Sequence, residues 1–231
     1  MSENLPLPRR DHFPILTERH LKLIDPDEPL ARAYFRRGPY PANWNAFRFY
    51  GPVHARFDHH PPPAGPHPRR GIMYGAPHDQ ATLHTCLLEL FQKTRRVNRH
   101  RHDPHFTVFR TKRSLFLLDL NSSWITSARG NSAIFSGNHD LARRWSREIY
   151  LHYRGQNAVY LNQEGERQVR SLDGLLYQSS LRPLHPCLAL YERARDAIPK
   201  TPLLDIPLAD SSLDRPMESL SEVGLELAGP F

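Results

Sequence analysis

The stretch that decides the fold is GIMYGAPHDQATLHTCLLELF, from Gly71 to Phe91. Its apolar run Ile72–Tyr74 predicts a buried strand, which the following Gly-Ala-Pro segment is expected to end. Asp79 is then the predicted N-cap of a helix. Apolar residues recur along that helix at i, i+3, i+4 and i+7, which predicts one buried face. These residues are Leu83, Cys86, Leu87 and Leu90.

Two residues of this stretch have side chains suited to ligand binding or catalysis. Tyr74 closes the strand, and Glu89 lies about a third of a turn from the centre of the apolar stripe. Its carboxylate is therefore expected to project, semi-exposed, from the flank of the helix. Taken alone, the pair is most simply a core tyrosine and a solvated glutamate, because glutamates are mostly exposed. The rest of the chain decides whether it is more than that.

Length and composition indicate one domain, with residues 1–29 as an N-terminal extension and 30–231 as the domain proper. No apolar run reaches about 18 residues, so no membrane span is expected. The N-terminus has no apolar core of the kind found in signal peptides. Cys86 and Cys187 lie in apolar segments and are expected to be buried free thiols. Together these features favour a cytoplasmic protein.

The formal net charge of +7 favours an anionic partner, such as a phosphate-bearing ligand, nucleic acid or an acidic protein. The sequence contains no zinc-finger, basic heptad or RNP motif, so direct binding to nucleic acid is not indicated. The 22 prolines predict long ordered loops rather than uniform secondary structure. The longest of these loops, Gly38 to Arg70, contains aromatic residues that argue against disorder. We therefore expect it to be ordered and functional.

The remaining elements are short, and strands outnumber helices. The helices expected are Ile15 to Ile24 and, capped by Asn138, His139 to Tyr153. The strands expected are Ala31 to Phe35, Phe106 to Phe109 and Leu115 to Leu120 around a turn, Asn157 to Leu161, Gly174 to Ser180, Cys187 to Tyr191 and Val223 to Leu227. This alternation predicts an α+β fold with mixed or antiparallel sheets and a few helices.

Two alternative functions come from basic and histidine-rich segments. Arg143, Arg144 and Arg147 form a basic helix face that would suit a nucleic-acid- or protein-binding module without catalysis. A metal hydrolase could use histidines of the long loop and of the later segment TRRVNRHRHDPH. The spacing of these histidines matches no standard zinc pattern, and no metal is expected. The histidines concerned are His54, His59, His60, His100, His102 and His105.

Arginine, glutamate and serine occur in an order and setting that resembles the RES-domain family, which is named for these three residues. The resemblance extends from about Leu30 to Ala194. The motifs that carry it are ARAYF with Arg32, ARFDHH with Arg56, the stretch from Gly71 to Phe91 with Tyr74 and Glu89, ARRWS at Ala142 to Ser146, and DGLLYQSS with Ser179 and Ser180, followed by ALYERA.

Members of that family resemble the toxins of bacterial toxin–antitoxin pairs, whose partner is an Xre-type helix-turn-helix antitoxin. The resemblance implies a fold similar to the diphtheria-toxin kind of ADP-ribosyltransferase. It also implies NAD as substrate, degraded by hydrolysis or phosphorolysis, or alternatively used to ADP-ribosylate a protein. Nucleic acid would then be contacted only through the antitoxin, and a homodimer remains open.

By match of motif, the resemblance assigns catalytic roles to Glu89, Arg32 and Ser179. It assigns NAD binding to Arg32, Arg56, Tyr74 and Ser179, with the adjacent Ser180 as a second candidate serine. The long loop between the two arginines and residues 1–29 depart from the compact toxins.

The chemistry of NAD cleavage agrees with these assignments. Breaking the nicotinamide–ribose bond passes through an oxocarbenium-like state, which the carboxylate of Glu89 would stabilise. The guanidinium groups of Arg32 and Arg56 suit a diphosphate, and Tyr74 can stack on the nicotinamide ring. The sequence has no GxGxxG fingerprint, so NAD is expected as a cleaved substrate rather than as a hydride carrier.

Overall fold

The computed structural model describes residues 4–79, 81–155, 159–162, 164–182 and 184–228. They form a single α+β domain with mixed and antiparallel sheets and few helices. The strands are β1 Leu16–Thr17, β2 Leu21–Ile24, β3 Leu30–Phe35, β4 Tyr50–Gly51, β5 Gly65–Pro66, β6 Ile72–Pro77, β7 Arg96–Val97, β8 Pro104–Phe109, β9 Leu115–Asp119, β10 Val159–Leu161, β11 Arg167–Val169, β12 Gly174–Gln178, β13 Pro186–Tyr191, β14 Leu204–Pro207 and β15 Glu226–Leu227. The helices are α1 Thr82–Leu90, α2 Trp124–Ser127, α3 Ala133–Ser136, α4 His139–His152 and α5 Asp214–Glu218.

The main sheet has eight strands in the order β14-β8-β3-β6-β13-β12-β9-β2. Neighbouring strands are antiparallel except β9 and β12, which are parallel. Short sheets flank it: β1 with β10 and β11, β4 with β5, and β7 with β15. The site described below lies where the central strands β6, β12 and β13 meet helix α1.

Strand β6 joins the two halves of the main sheet. Its first four residues pair with β13, and its last two pair with β3. Gly75 lies at the change of partner, where a Cβ atom would be 2.8 Å from the carbonyl oxygen of Ala31. The expectation that Gly75, Ala76 and Pro77 end the strand is therefore wrong. The missing side chain instead allows β3 to approach closely, so the strand continues.

Helix α1 covers the half of the sheet formed by β3 and β8. Leu87 and Leu88 are fully buried there, in a cluster that includes Ala31 and Ala76. The apolar face predicted from the sequence is confirmed. The helix begins at Thr82 rather than directly after Asp79, whose carboxylate accepts from the Ala81 amide in the preceding turn. Asp79 therefore orders the turn but is not the N-cap.

Helices α2, α3 and α4 cover the other half of the same face. Trp124 and Trp145 are fully buried in this layer. The prediction of a helix capped by Asn138 is confirmed, because the Asn138 side chain accepts from the Asp140 amide at 2.7 Å. Cys86 and Cys187 are buried free thiols, as predicted.

Three further local predictions are wrong, and in the first two long-range pairing prevails over local pattern. The segment from Ile15 to Ile24 is not a helix: it forms β1, a 3-10 turn and β2, which pairs with β9. The stretch expected as an N-terminal extension thus contributes an outer strand of the main sheet. Strands β8 and β9 exist as predicted, but they do not pair with each other. Val223 ends a 3-10 helix, and only Glu226–Leu227 is a strand.

The other predicted strands are present with shifted ends. Ser179 and Ser180 follow β12 rather than ending it, and β13 already starts at Pro186. Of the strand predicted from Asn157 to Leu161, residues 157 and 158 lie outside the described part, and Val159–Leu161 is a strand. The long loop, Gly38 to Arg70, contains only β4 and β5 as regular structure. No helix in the described residues has the length and apolarity needed to cross a membrane.

Candidate functional site

Glu89 and Ser179 form a direct hydrogen bond across 90 residues of sequence. Glu89 lies in the last turn of α1, and Ser179 follows the end of β12. The Ser179 hydroxyl donates to Oε1 of Glu89 at 2.7 Å. It also accepts from the backbone amides of Leu181 and Arg182, at 3.2 and 3.3 Å. These amides fix the serine oxygen, so Ser179 holds the carboxylate in one orientation.

The two adjacent serines have different surroundings. Ser179 is 1% exposed, whereas Ser180 lies on the surface. Side chains of Leu175, Tyr177 and Ser179 share one face of the strand because alternate residues of a strand point the same way. The structure therefore places Ser179, and not Ser180, against Glu89.

Burial and nearby charges shift the pKa of Glu89 in opposite directions. Burial raises the pKa of the Glu89 carboxyl, and this is the largest effect. The hydrogen bond from Ser179 and the charges of Arg56 and Arg95 lower it. Arg95 follows the helix in a left-handed conformation, with φ of 54°, and nothing in the sequence pattern pointed to it. The carboxylate thus lies in a partly desolvated place with two cations nearby.

Arg56 reaches the site from the long loop and is held by the start of α4. One terminal nitrogen donates to the Gly137 carbonyl at 2.9 Å, and the other lies 3.1 Å from Nε2 of His139. Burial lowers the pKa of Arg56, while the charge of Glu89 raises it. Burial, followed by the charge of Arg56, lowers the pKa of His139 to about 4. His139 is therefore neutral near pH 7 and can accept from Arg56.

Two tyrosines line the same face. The Tyr74 hydroxyl is buried with no hydrogen-bond partner among the described residues, whereas the residue as a whole is half-buried. Burial raises the pKa of Tyr74, the charge of Asp58 adds to the increase, and Glu89 makes a smaller contribution. The sequence did not single out Tyr177, whose ring packs 4.4 Å from that of Phe57. Burial raises its pKa too, with Glu89 and Arg56 among the charges that act on it. Its place two residues before Ser179 is the signal that could have revealed it.

Arg32 does not lie beside Glu89. Along β3, Ala31 and Ala33 pack in the cluster around α1, and Arg32 alternates with them. Its Nη1 donates to the carbonyls of Trp44 and Ala46, both at 3.0 Å. Burial lowers the pKa of Arg32 to about 10, and Arg32 is not among the charges that shift Glu89. The structure gives Arg32 the role of anchoring the long loop, and it brings together Glu89, Ser179, Arg56 and Tyr74.

The histidines considered for a metal site are dispersed among other contacts. His60 contacts the Asp58 carboxylate and the Arg70 carbonyl, and His59 stacks on Tyr150 at 4.3 Å. His105 lies between two aspartates near β14. Within the described ranges, no group of three or more His, Cys, Asp or Glu side chains could hold a metal ion.

The basic face of α4 is mostly engaged with the protein itself. Arg143 donates to the Val53 carbonyl and contacts Asp140, and Arg147 lies 3.5 Å from the His60 carbonyl. Arg144 is the member of the trio that is exposed. This arrangement ties α4 to the long loop and leaves little of the trio free for a macromolecular partner.

Two concavities in the surface of the described residues lie away from Glu89, Ser179 and Arg56. One of about 490 Å³ is lined by Arg113, Arg170, Ser171, Asp173 and Arg193. Another of about 340 Å³ is lined by Leu7, Pro8, Arg144, Arg147 and Glu148.

Comparisons of the chain with protein-family models, with curated proteins and with solved structures each found no match. Within one α+β domain, helix α1 provides the carboxylate of Glu89, the end of β12 is followed by Ser179, and the long loop provides Arg56.

Proposed function

We propose that this protein consumes NAD by cleaving the bond between nicotinamide and ribose, as an enzyme of the RES-domain kind. The observation that carries the proposal is the Glu89–Ser179 hydrogen bond of 2.7 Å with Arg56 close by. The fold proposed is similar to that of diphtheria-toxin-type ADP-ribosyltransferases. The mixed sheet with few helices supports that likeness only at the level of fold class.

In this proposal Glu89 is the catalytic residue. As the bond to nicotinamide breaks, positive charge develops on the ribose, and a carboxylate next to it lowers the barrier. A carboxylate surrounded by protein stabilises such a charge more than one in water, because the local dielectric is lower. Ser179 acts as a positioning residue: its hydroxyl is fixed by two backbone amides and holds one carboxylate oxygen.

Arg56 and Tyr74 bind the substrate. Arg56 uses two of its nitrogens to contact Gly137 and His139, and the planar guanidinium keeps further N–H groups for an oxygen of the diphosphate. The half-buried ring of Tyr74 offers a stacking surface for the nicotinamide, and its hydroxyl stays inside the protein. Arg32 contributes indirectly, by holding the loop that carries Arg56.

The acceptor of the ADP-ribosyl group is water or phosphate in the first instance, and a protein side chain in the alternative. We further propose that the protein is a cytoplasmic toxin restrained by an Xre-type helix-turn-helix antitoxin. The net charge of +7 suits a partner with an acidic segment, because complementary charge speeds association. Co-purification of a small helix-turn-helix protein from the native host would support this pairing.

The test is incubation of the purified protein with NAD, followed by chromatographic detection of free nicotinamide. Parallel reactions contain buffer alone, added phosphate, or candidate protein acceptors, and the second product identifies the acceptor. Glu218, the exposed final residue of α5, provides a matched control as Glu218→Gln beside Glu89→Gln. If none of the three reactions releases nicotinamide, the proposal is refuted.

A further inference from the structure

A second charged cluster lies at the opposite end of β12 from Ser179. Arg113 precedes β9, Arg170 and Asp173 precede β12, and Arg193 follows β13. These residues, with Ser171, line the concavity of about 490 Å³. Because each strand residue advances about 3.3 Å, the five-residue strand puts this cluster roughly 15–20 Å from the Glu89 site. It therefore needs an explanation of its own.

Two of the three arginines have protein partners. Arg113 donates to both oxygens of Asp173, at 2.8 and 2.9 Å, and also to Asp196. Arg170 donates one bond of 3.3 Å to the Ser114 carbonyl, and its guanidinium lies over the Phe116 ring at 4.8 Å. Both aspartates contact Arg113, and neither contacts Arg170 or Arg193 among the described residues. The three arginines and two aspartates therefore have a net charge of +1, and Arg170 and Arg193 have no carboxylate contact in the described part of the chain.

Arg193 is the least satisfied of the three arginines. Its guanidinium lies 4.7 Å from the centre of the Tyr150 ring and 5.0 Å from that of Tyr191. All three of its side-chain nitrogens are buried, and none has a hydrogen-bond partner in the described part of the chain. The adjacent carboxylate of Glu192 accepts from the Gly71 amide and the Tyr150 hydroxyl, and it makes no contact with the Arg193 guanidinium among the described residues.

An arrangement of this kind is costly for the protein alone. Buried N–H donors without acceptors, and buried charges without partners, each reduce stability by a few kcal/mol. The two tyrosine rings compensate for part of this through cation–π contacts, but they leave the edges of the guanidinium unsatisfied. A planar guanidinium with free edges matches the oxygens of a phosphate group.

We propose that the concavity lined by Arg113, Arg170 and Arg193 binds a phosphate group, either as inorganic phosphate or on a small phosphorylated molecule. The volume exceeds what one phosphate needs and is within the range of small-molecule sites. Arg193 forms the inner wall, and a rotation of the weakly held Arg170 side chain admits the anion to it. This site is independent of the proposed cleavage of NAD.

The experiment measures thermal unfolding of the whole protein with inorganic phosphate, with adenosine monophosphate, or with chloride at equal ionic strength. We expect Tm to rise by roughly 2–4 °C when the phosphate compound exceeds its Kd about fivefold, and not with chloride. A larger effect of adenosine monophosphate assigns the site to a phosphorylated small molecule, and an equal effect assigns it to the phosphate group alone.

Variants locate the effect. Arg193→Met should remove the phosphate-dependent rise, and its Tm without phosphate should equal or exceed that of the wild type, because an unpaired buried charge is lost. Arg170→Gln tests the same site if the first variant fails to fold. Arg167→Gln, an exposed arginine of β11, is the matched control and should keep the rise. Nicotinamide release should be unchanged in Arg193→Met, which separates this proposal from the first.

A wild type without a phosphate-specific rise would overturn the proposal. So would an Arg193→Met protein that retains the rise, because the unpaired guanidinium would then play no part in binding.

Discussion

Replacing Glu89 with glutamine tests the candidate site at its centre. The change keeps the size of the side chain and an oxygen that can accept from Ser179, whose hydroxyl lies 2.7 Å from Oε1. It removes only the negative charge. Loss of one such electrostatic group ordinarily lowers turnover by about 10²–10³-fold, or about 2.7–4 kcal/mol in the barrier. Affinity for NAD should change much less, since the ground state carries no positive charge on the ribose.

The stability of this variant follows from the same contacts. A hydrogen bond to a charged group contributes about 1 kcal/mol more than a neutral one, so the Ser179 bond weakens in Glu89→Gln. Against this, the variant no longer buries a charge, and burial is the main cause of the raised pKa of Glu89. The two effects oppose each other. We expect the free energy of unfolding at neutral pH to differ from that of the wild type by about 1 kcal/mol or less.

The pH dependence has a definite sign. A carboxyl with a raised pKa in the folded state contributes most to stability below its unfolded pKa, and the contribution is lost as pH rises through the folded pKa. The stability difference should therefore shift in favour of Glu89→Gln as pH rises from about 4 to 7. As pH is lowered, turnover of the wild type should begin to fall at a pH above the ordinary pKa of glutamate. The variant should show no such acidic fall in its pH profile.

The assays are nicotinamide release for turnover, calorimetric titration for NAD affinity, and urea unfolding for stability. Glu218→Gln should match the wild type in all three, because that side chain is exposed on α5. A Glu89→Gln protein with full turnover would refute the mechanism. A protein that loses activity together with several kcal/mol of stability would show a structural role instead.

Four further outcomes are expected. Ser179→Ala should lower turnover and move the acidic limb to higher pH, since its hydrogen bond lowers the pKa of the catalytic carboxyl, whereas Ser180→Ala should have no effect. Arg56→Lys should weaken NAD binding, because lysine cannot reproduce the forked contacts; unchanged affinity in titration would remove it from the site. Arg32→Lys should lower the free energy of unfolding by about 1–3 kcal/mol and make the long loop sensitive to proteolysis. A drop in turnover without increased proteolysis of the loop would instead place this arginine at the substrate. Asp58→Asn should cost about 3 kcal/mol at pH 7 in urea unfolding. The hydrogen bond from His60 and the charge of Arg48, which lies 3.0 Å from the carboxylate, lower the pKa of Asp58 in the fold. This difference should therefore shrink as pH falls below about 4, and a pH-independent difference would contradict these pairings.

Local pattern was sufficient where one element's own residues decide its conformation. The strand and helix between Gly71 and Phe91 follow from an apolar run and a 3.6-residue period, and Asn138 marks the start of α4. The same reasoning placed Glu89 on the flank of its helix. These features depend on contacts between residues a few positions apart, which the sequence displays directly.

Pairing between distant segments could not be obtained in this way. Strands β8 and β9 are adjacent in sequence, yet they lie on opposite sides of the sheet centre, with four strands between them. The segment from Ile15 to Ile24 has apolar residues suited to a short helix. Its second half instead forms β2, whose backbone pairs with β9 at the end of the main sheet. Which partner a strand finds depends on the whole sheet and not on its own residues.

The same division holds for the site. The sequence by itself provided the candidate arginines, tyrosine, glutamate and serines, with Ser179 assigned by motif and the adjacent Ser180 as a second candidate. Only the tertiary structure decided that Ser179 contacts Glu89 from 90 positions away and that Arg56 contacts His139. It also decided that Arg32 anchors the long loop on the opposite face of β3 from helix α1. The physical reason is that a hydrogen bond depends on distance and direction in space, and a chain fixes these only after its sheet has assembled.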